Sequence, residues 1–373
     1  MKRPFNFGAG PAQLPEKVLR RLSVEAINWK GSGMAVAELP HRGKLFQEII
    51  EETKLLTVSL LGLPDSFEVL FMQGGARGQN AIIPMNLLNE NKKCDHVVTG
   101  FWSRISASEA RKYANVWVAN KISTTGLKSI QSLSEWEVRS DSSYVHLCAN
   151  ETVDGIEFRE IPDLASIGRD TIPLVIDASS NLFTRKLNLK NVGLLYAGAQ
   201  KNIGIAGLTL ILLNKKIVDV ESQECSTICP SVFSYRNAIL NNSCYNTPPT
   251  LAILTTKLML EWILEMGGVA AVGEQNEKKA KAMYDFIDNS RLYSNDVDAA
   301  YRSLVNIKFF IKQPELETNF LSGAEERGLI NLKGHPSIGG IRASLYNSMP
   351  MEGVLRLLDW MSLFEKEHYY ETH

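Results

Sequence analysis

Lys201 is the residue whose surroundings most need a chemical explanation. It lies in a turn of small residues between two apolar runs, within Leu194 to Asn214 (LLYAGAQKNIGIAGLTLILLN), and the preceding run IPLVID ends in Asp177. A carboxylate at the end of a buried strand needs a cation or hydrogen bonds, and a lysine amine nearby can act as a nucleophile or carry protons. An exposed turn lysine, or a structural ion pair between the two, would explain the same residues without chemistry.

A glycine-rich turn follows the apolar run FEVLFM. Gly74, Gly75 and Ala76 precede Arg77 and the expected start of a helix. Bare backbone N–H groups at a helix N-terminus, beside a guanidinium, form a site that suits a phosphate. An ordinary tight turn is an equally good interpretation of this segment alone.

Two further apolar runs end in residues that could contact a ligand. DHVVTG is followed by Trp102, and YVHLCANE is followed by Thr152. The indole could pack in the core, as most aromatic side chains do, or form a surface on which a flat ring stacks.

The apolar runs that carry these residues predict an α/β fold. FEVLFMQGG, DHVVTGFW, YVHLCANE, IPLVIDASS, GLLYAGAQ and GLTLILLN alternate with mixed segments such as GQNAIIPMNLLNE and SASEARKYA. Runs that are apolar throughout fit the strands of a mostly parallel sheet covered on both faces, with the mixed segments as crossover helices. Ligands of such sheets bind at the carboxyl ends of the strands.

The chain is long enough for about two domains. The amphipathic segment PTLAILTTKLMLEWILEMGG ends at Gly267 and Gly268, and the pattern then changes to helices and strands of a smaller α+β unit. We therefore predict a large domain over residues 16–266. A small domain is expected over residues 267–373, completed by residues 1–15.

Composition narrows the class of protein. The 373 residues include 40 basic and 41 acidic side chains, so no global charge favours nucleic acid or a membrane surface. Five cysteines without a CxxC pair indicate reduced thiols, and no apolar run reaches the roughly 20 residues of a membrane span. We expect a cytoplasmic protein. The six histidines are scattered, so no metal site is predicted.

Pyridoxal 5'-phosphate (PLP) is a cofactor that would use all of these residue types together. Its phosphate suits the glycine turn, and its flat ring suits the indole of Trp102. Its pyridine nitrogen needs a carboxylate to stay protonated, and its aldehyde condenses with a lysine amine. The combination is more specific than any of its members.

The chain also resembles the phosphoserine aminotransferase family of class-V, fold-type-I PLP enzymes over essentially its whole length. The resemblance is carried, in order, by FNFGAGPAQLP, HRG, GGARGQ, CANETVDG, YAGAQKN, NTPPT, KGH and GGIRAS. It implies a PLP-dependent transferase fold of type I, with a large domain and a smaller C-terminal domain.

The resemblance implies specific roles for residues in these motifs. Lys201 would form the covalent imine with PLP, and Asp177 would pair with the pyridinium nitrogen. The remaining residues implied to bind the cofactor are Ala76, Arg77, Trp102, Thr152, Gln200, Asn246 and Thr247. Because the segment containing Asn246 reaches PLP from the neighbouring subunit in that family, a homodimer with shared active sites is implied.

The implied reaction is reversible transamination between L-glutamate and 3-phosphohydroxypyruvate, a step of serine biosynthesis. Arg342 is the candidate for the substrate α-carboxylate, because a planar guanidinium binds a carboxylate bidentately. The candidates for the distal carboxylate or phosphate are His41, Arg42, Arg77 and His335. Each histidine taken alone would also fit a structural role.

Two positions depart from the family pattern. Ala76 stands where the third small residue of the turn is often glycine. Pro336 follows His335, where the family commonly has an arginine that helps to hold the distal anion. Arg104 and Lys333 are the nearest cations in motif order that could replace it.

Three alternatives from other classes stay open at this point. An aminotransferase of small substrates, of the serine or alanine to glyoxylate type, would share the PLP-binding residues without needing HRG and KGH. A dinucleotide-binding module would need GxGxxG after the first strand, which is absent. A purely structural protein would be colourless.

Overall fold

The computed structural model describes residues 3–121, 126–218 and 228–369. Cys225 lies outside these ranges, while Cys94, Cys148 and Cys244 are free thiols and buried. Among the described residues, no helix has the length and apolar character to span a membrane.

The first part of the chain supplies strands and helices in alternation. In chain order they are β1 (Phe5–Asn6), α1 (Glu16–Glu25), α2 (Lys44–Leu61), β2 (Phe67–Gln73), α3 (Gly75–Leu87), β3 (Lys93–Val97), α4 (Phe101–Ala110), β4 (Asn115–Val118), β5 (Val145–Cys148), β6 (Asn150–Glu151), β7 (Ile156–Glu157), β8 (Leu174–Asp177), β9 (Val192–Gly198), β10 (Leu208–Asn214), α5 (Tyr235–Leu240) and α6 (Thr250–Glu265).

The last part is built from α7 (Gly268–Asn289), β11 (Tyr293–Ser294), β12 (Asn306–Ile311), α8 (Glu317–Glu326), β13 (Leu329–Ile330), β14 (Ile341–Ser344) and α9 (Met351–Tyr369). Strands β11, β12 and β14 form an antiparallel sheet. Its core contains residues from Ala280 to Phe364 and also Phe7 from the start of the chain.

In the described part of the chain, a seven-stranded sheet in the order β2-β10-β9-β8-β5-β3-β4 forms the centre of the molecule. The predicted mostly parallel sheet is confirmed, with one antiparallel strand, β10. Residues 199–207 between β9 and β10 are too few for a crossover helix, so β10 returns antiparallel. Alternate residues of β9 enter different cores, Leu195 on one face and Leu194 on the other, so both faces are covered.

The start of the chain links the two parts. Strand β1 pairs in parallel with β13, with Phe5 opposite Leu329. A few residues later, the Ala12 amide donates to the Gln200 carbonyl at 2.9 Å. Residues 5–12 therefore run from the C-terminal part to the turn that contains Lys201.

Candidate active site

A cavity of about 670 Å³ lies at the carboxyl ends of the central strands. It brings together most of the residues predicted from the sequence. Its lining includes Ala76, Arg77, Trp102, Thr152, Asp177, Gln200, Lys201, His335 and Arg342, together with Ala9, Gly10, Pro11, Gly74, Gly75, Asn80, Ala206 and Gly207. This is where open α/β sheets bind ligands.

Lys201 and Asp177 enter the cavity from neighbouring strand ends. Asp177 is the last residue of β8, and Lys201 follows β9, which pairs with β8. No ion pair within 4.0 Å joins the two side chains in the described structure, so the structural ion pair considered from the sequence is not formed. Burial lowers the pKa of the Lys201 amine, while the Asp177 carboxylate acts in the opposite direction. The amine is therefore partly buried but unpaired.

Asp177 keeps one oxygen available. Its Oδ1 accepts from the Ser179 amide at 2.9 Å, which fixes the carboxylate. The other oxygen has no hydrogen-bond partner among the described residues. It can therefore accept a proton-bearing nitrogen from a bound ring.

The indole of Trp102 lines the cavity. Its Nε1 donates to Thr152 Oγ1 at 2.7 Å, which fixes the orientation of the ring. The Arg77 guanidinium lies 5.2 Å and the Lys201 amine 5.4 Å from the ring centroid. Cations at this distance above an indole face are attracted to it, so the ring faces the cavity and not the core.

The N-terminus of α3 is open toward the cavity. Gly74 has φ +103° and Gly75 has φ +65°, and no side chain caps the helix. Close approach of β9 also depends on glycine, since a Cβ at Gly198 would lie 3.2 Å from the Ala76 nitrogen. Helix N-terminal amides without a partner can bind an anion, so the phosphate site at this turn stays a prediction.

Gln200 supplies a second unsatisfied group. Its Oε1 is buried and has no hydrogen-bond partner in the described structure. Buried acceptors are normally hydrogen-bonded, so a ligand or a water molecule is expected to donate to this oxygen. With the open helix terminus, the free Asp177 oxygen and the unpaired amine, it makes a set of groups that fits PLP.

Arg342 and His335 come from the C-terminal part of the chain. Arg342, on β14, donates from Nη1 to the Thr152 carbonyl at 3.2 Å, and burial lowers its pKa. His335 Nδ1 lies 2.6 Å from Ser337 Oγ, and its ring lies 4.7 Å from that of Phe101. Pro336 is exposed, and Arg104 and Lys333 do not line the cavity.

Four predicted residues lie apart from the cavity of their own chain. Arg42 Nη2 donates to the Tyr245 carbonyl at 3.1 Å, and His41 Nδ1 lies 3.3 Å from Thr247 Oγ1. Asn246 and Thr247 are exposed. The structure therefore gathers His41, Arg42, Asn246 and Thr247 into one surface group, which does not line this cavity.

Some residues at the site were missed by the sequence reasoning. Glu151 and Asp154 bind the backbone at the start of α4, and Gly10 lies against Lys201, whose Cγ would be 3.3 Å from a Cβ there. The motif CANETVDG contains both acids next to the predicted Thr152, which was a usable signal. Nothing in the sequence placed them at a helix 50 residues earlier.

Comparisons with known proteins agree with this geometry. Residues 4–357 match the family model described as aminotransferase class-V. A phosphoserine aminotransferase of Paraburkholderia phymatum is 46% identical over 365 residues, covering 98% of this chain and 99% of that protein. One from Nitrosomonas europaea is 45% identical over 370 residues, covering 99% and 100%. The solved PLP-bound phosphoserine aminotransferase from Trichomonas vaginalis has a TM-score of 0.90 at 36% identity, covering 96% and 100%.

Proposed function

Since this chain belongs to the class-V aminotransferases and, within them, to the phosphoserine aminotransferase family, we propose that its central cavity transfers the amino group of L-glutamate to 3-phosphohydroxypyruvate. The products are 2-oxoglutarate and O-phospho-L-serine, and the reaction is reversible. The observation that carries this proposal is that Lys201 and Asp177 lie at neighbouring strand ends without forming an ion pair. Both line the cavity beside the open N-terminus of α3.

The cavity residues fit PLP, which when bound supplies an aldehyde that bonds to amines and a ring that withdraws electrons from them. The Ala76 and Arg77 amides at the start of α3 would hold its phosphate. The free Asp177 oxygen would hold the ring nitrogen in its protonated form. Trp102 would pack on the ring, and Thr152 and Gln200 would contribute polar contacts.

Lys201 is the proposed nucleophile and proton carrier. Burial lowers the pKa of its amine, which increases the unprotonated fraction at neutral pH. An unprotonated amine at this position can bond to the cofactor in the resting enzyme. Once a substrate amine has displaced it, Lys201 can accept the proton from the substrate α-carbon and return it.

Three side chains of the cavity would bind the two ends of the substrate. Arg342 is held by the Thr152 carbonyl, which leaves the rest of its guanidinium to bind the α-carboxylate bidentately. Arg77 and His335 line the same cavity and would bind the distal carboxylate or phosphate. Glutamate and phosphohydroxypyruvate would thus use one pocket in turn.

The proposed assembly is a homodimer in which His41, Arg42, Asn246 and Thr247 complete the cavity of a second subunit. Arg42, Asn246 and Thr247 are exposed, His41 is half-buried, and all four lie apart from the cavity of their own chain, which supports this role. Mixing Lys201→Ala subunits with Asn246→Ala subunits should restore activity, because each mixed dimer would contain one intact site. Mixed dimers that form without recovering activity would exclude the shared site.

The domain limits remain our proposal, with residues 16–266 in the large domain and residues 1–15 and 267–373 in the small one. The C-terminal core that includes Phe7 supports this division. A cytoplasmic location is likewise proposed, supported by the free and buried thiols of Cys94, Cys148 and Cys244.

The absorption spectrum of the PLP-loaded protein tests the proposed reaction. The yellow band of lysine-bound PLP should bleach on addition of L-glutamate, and phosphohydroxypyruvate should restore it. Glyoxylate is the matched acceptor, because an aminotransferase of small substrates would prefer it. If glyoxylate restores the band better than phosphohydroxypyruvate does, glyoxylate is the amino acceptor and the proposed substrate is wrong. If glutamate does not bleach the band, the proposed amino donor is wrong.

A further inference from the structure

The N-terminus of α4 is closed by two carboxylates of the protein itself. The Phe101 amide donates to Asp154 Oδ2 at 2.7 Å, and the Trp102 amide donates to Glu151 Oε2 at 2.7 Å. The Ser103 amide and hydroxyl both donate to Glu151 Oε1, at 2.8 and 2.5 Å. The amides that a helix start normally leaves free are therefore all used within the chain.

Gly100 makes this closure possible. Its φ of −168° is extended and open to any residue, so its backbone conformation does not require glycine. A Cβ at Gly100, however, would lie 2.5 Å from Asp154 Oδ2 and 2.7 Å from Glu151 Cδ. The two carboxylates can approach the helix only because position 100 has no side chain.

The segment that carries Glu151 also holds two cavity side chains. Thr152 Oγ1 accepts from the Trp102 indole, and the Thr152 carbonyl accepts from Arg342. The segment itself is fixed, because the Gly155 amide donates to the Glu151 carbonyl at 2.8 Å and Asn150 bonds to Asn306. A shift of Glu151 would therefore move Trp102 through the helix and Arg342 through Thr152.

We propose that Glu151 is a positioning residue of the active site, which fixes the indole of Trp102 and the guanidinium of Arg342 relative to each other. This inference rests on the proposed function only in assigning those two side chains to cofactor and substrate. Glu151 contacts neither ligand in the proposal. It acts through the backbone of α4 and through Thr152.

The charges around Glu151 agree with a role in positioning. Asp154 is paired with Lys128 at 3.1 Å, and Lys128 also reaches Asp296 at 3.4 Å. Glu151 is fully buried and has no cation within 4.0 Å in the described structure, so its partners are hydrogen-bond donors of α4. Burying a carboxylate costs free energy unless hydrogen bonds offset it. Glu151 is therefore favourable only where the donors of α4 surround it.

The test compares Glu151→Gln with Glu157→Gln. Glu157 is equally buried and also accepts a backbone amide, that of Leu304 at 2.8 Å, but it contacts Arg185 away from the cavity. Both variants should lower the melting temperature of the apoprotein. Glu151→Gln should also weaken PLP binding roughly ten- to a hundredfold, whereas Glu157→Gln should change it less than about twofold. The measurement is the dissociation constant of PLP by equilibrium fluorescence quenching.

Gly100→Ala provides an independent variant that leaves every charge in place. Its Cβ should displace both carboxylates and weaken PLP binding to a similar degree. Because it disrupts the same contact, the double variant with Glu151→Gln should be little worse than either single one. If these proteins do not fold, Ser103→Ala removes one donor to Glu151 without adding atoms, and the dissociation constant should rise roughly threefold or more.

Unchanged PLP affinity in the folded variants, with a melting temperature lowered as in Glu157→Gln, would overturn the inference and leave Glu151 a structural residue. A wild-type protein that binds PLP but does not transaminate would instead refute the proposed function. In that case the comparison of dissociation constants would still decide whether Glu151 positions the site. The two failures are therefore distinguishable.

Discussion

The N-termini of α3 and α4 lie beside the same cavity but differ in what binds their amide groups. At α3 the chain turns through Gly74 and Gly75, and no side chain caps the helix. At α4 the first amides are bound by Asp154 and Glu151. Both helix starts carry the partial positive charge that attracts anions. One is left for a ligand, and the other is neutralised by the protein.

The difference shows how one cavity can direct a phosphate to one of two similar sites. A carboxylate at a helix start uses its donors and repels a second anion. Glu151 and Asp154 therefore hold Trp102 in place and also make α4 unsuitable for phosphate. The open terminus at Gly75 is the position that we propose for the phosphate.

Lys201→Ala should have the largest effect on activity, because it removes the covalent attachment of PLP. It leaves the open terminus of α3 and the closed terminus of α4 unchanged. Transamination should fall by at least roughly a thousandfold, since proton transfer is lost together with the nucleophile. PLP should still bind, held by the α3 terminus and Trp102 without a lysine bond. Steady-state rates and the missing band of lysine-bound PLP provide the measurements. Appreciable turnover would show that another group carries the proton.

Gly75→Asp should convert the open terminus into one that resembles α4. The φ of +65° is one that Asp and Asn tolerate best, and no atom lies within 4 Å of the position that a Cβ would take there. A carboxylate near the phosphate should weaken PLP binding roughly ten- to a hundredfold. Gly75→Asn has nearly the same shape without the charge and should bind much more tightly than the Asp variant. Equal affinities for the two variants would place the phosphate elsewhere.

The closed terminus should make stability depend on pH. Burial raises the pKa of Glu151 from its ordinary value of 4.5 to about 7. As pH rises, the unfolded chain therefore loses this proton before the folded protein does. The contribution of Glu151 to the free energy of unfolding is fully present below pH 4.5 and is lost by about pH 7. The loss should be on the order of 1–3 kcal/mol.

Urea unfolding of the apoprotein across this pH interval measures the effect. Glu151→Gln has no proton to lose, so the stability difference between wild type and variant should change in favour of the variant as pH rises. Other titrating groups contribute to both proteins and cancel in the difference. Parallel pH profiles would show that Glu151 does not titrate in this interval.

Pro336→Arg should have the smallest effect, because position 336 is exposed beside His335. One additional charge-assisted hydrogen bond to the distal phosphate should lower the KM for phosphohydroxypyruvate several-fold. This corresponds to a gain of about 1 kcal/mol in binding free energy. The KM for glutamate should change less, because its distal carboxylate carries less charge. Measurements at equal ionic strength avoid differences in screening. An equal change in both KM values would contradict a specific contact with phosphate.

Local sequence patterns predicted the strands and most of the cavity. Lys201, Asp177 and Trp102 follow apolar runs, and the parallel pairing of those runs brings them to one edge of the sheet. The start of α4 is not predictable in the same way. The pattern of SASEARKYA predicts a helix, but the helix begins earlier, at Phe101, where carboxylates 50 residues away bind its amides. Such a cap is a tertiary contact without a local signal.

The position of His41 and Arg42 was also outside the reach of local patterns. HRG resembles the family motif, yet folding of one chain leads these residues to Tyr245 and Thr247. In the homodimer that we propose, these residues would act in the cavity of another subunit, and local patterns of one chain do not predict such a position.

The pairing of β1 with β13 limits how the protein can be divided into fragments. Phe5 belongs to the C-terminal fold by its strand partner, while Ala12 is bonded to the turn beside Lys201. A fragment that starts after residue 266 would lack β1, and one that ends there would expose β1 without its partner strand. A single cut therefore yields two incomplete halves. Split-protein reporters or domain exchanges built on this scaffold need to transfer residues 3–12 together with the C-terminal part.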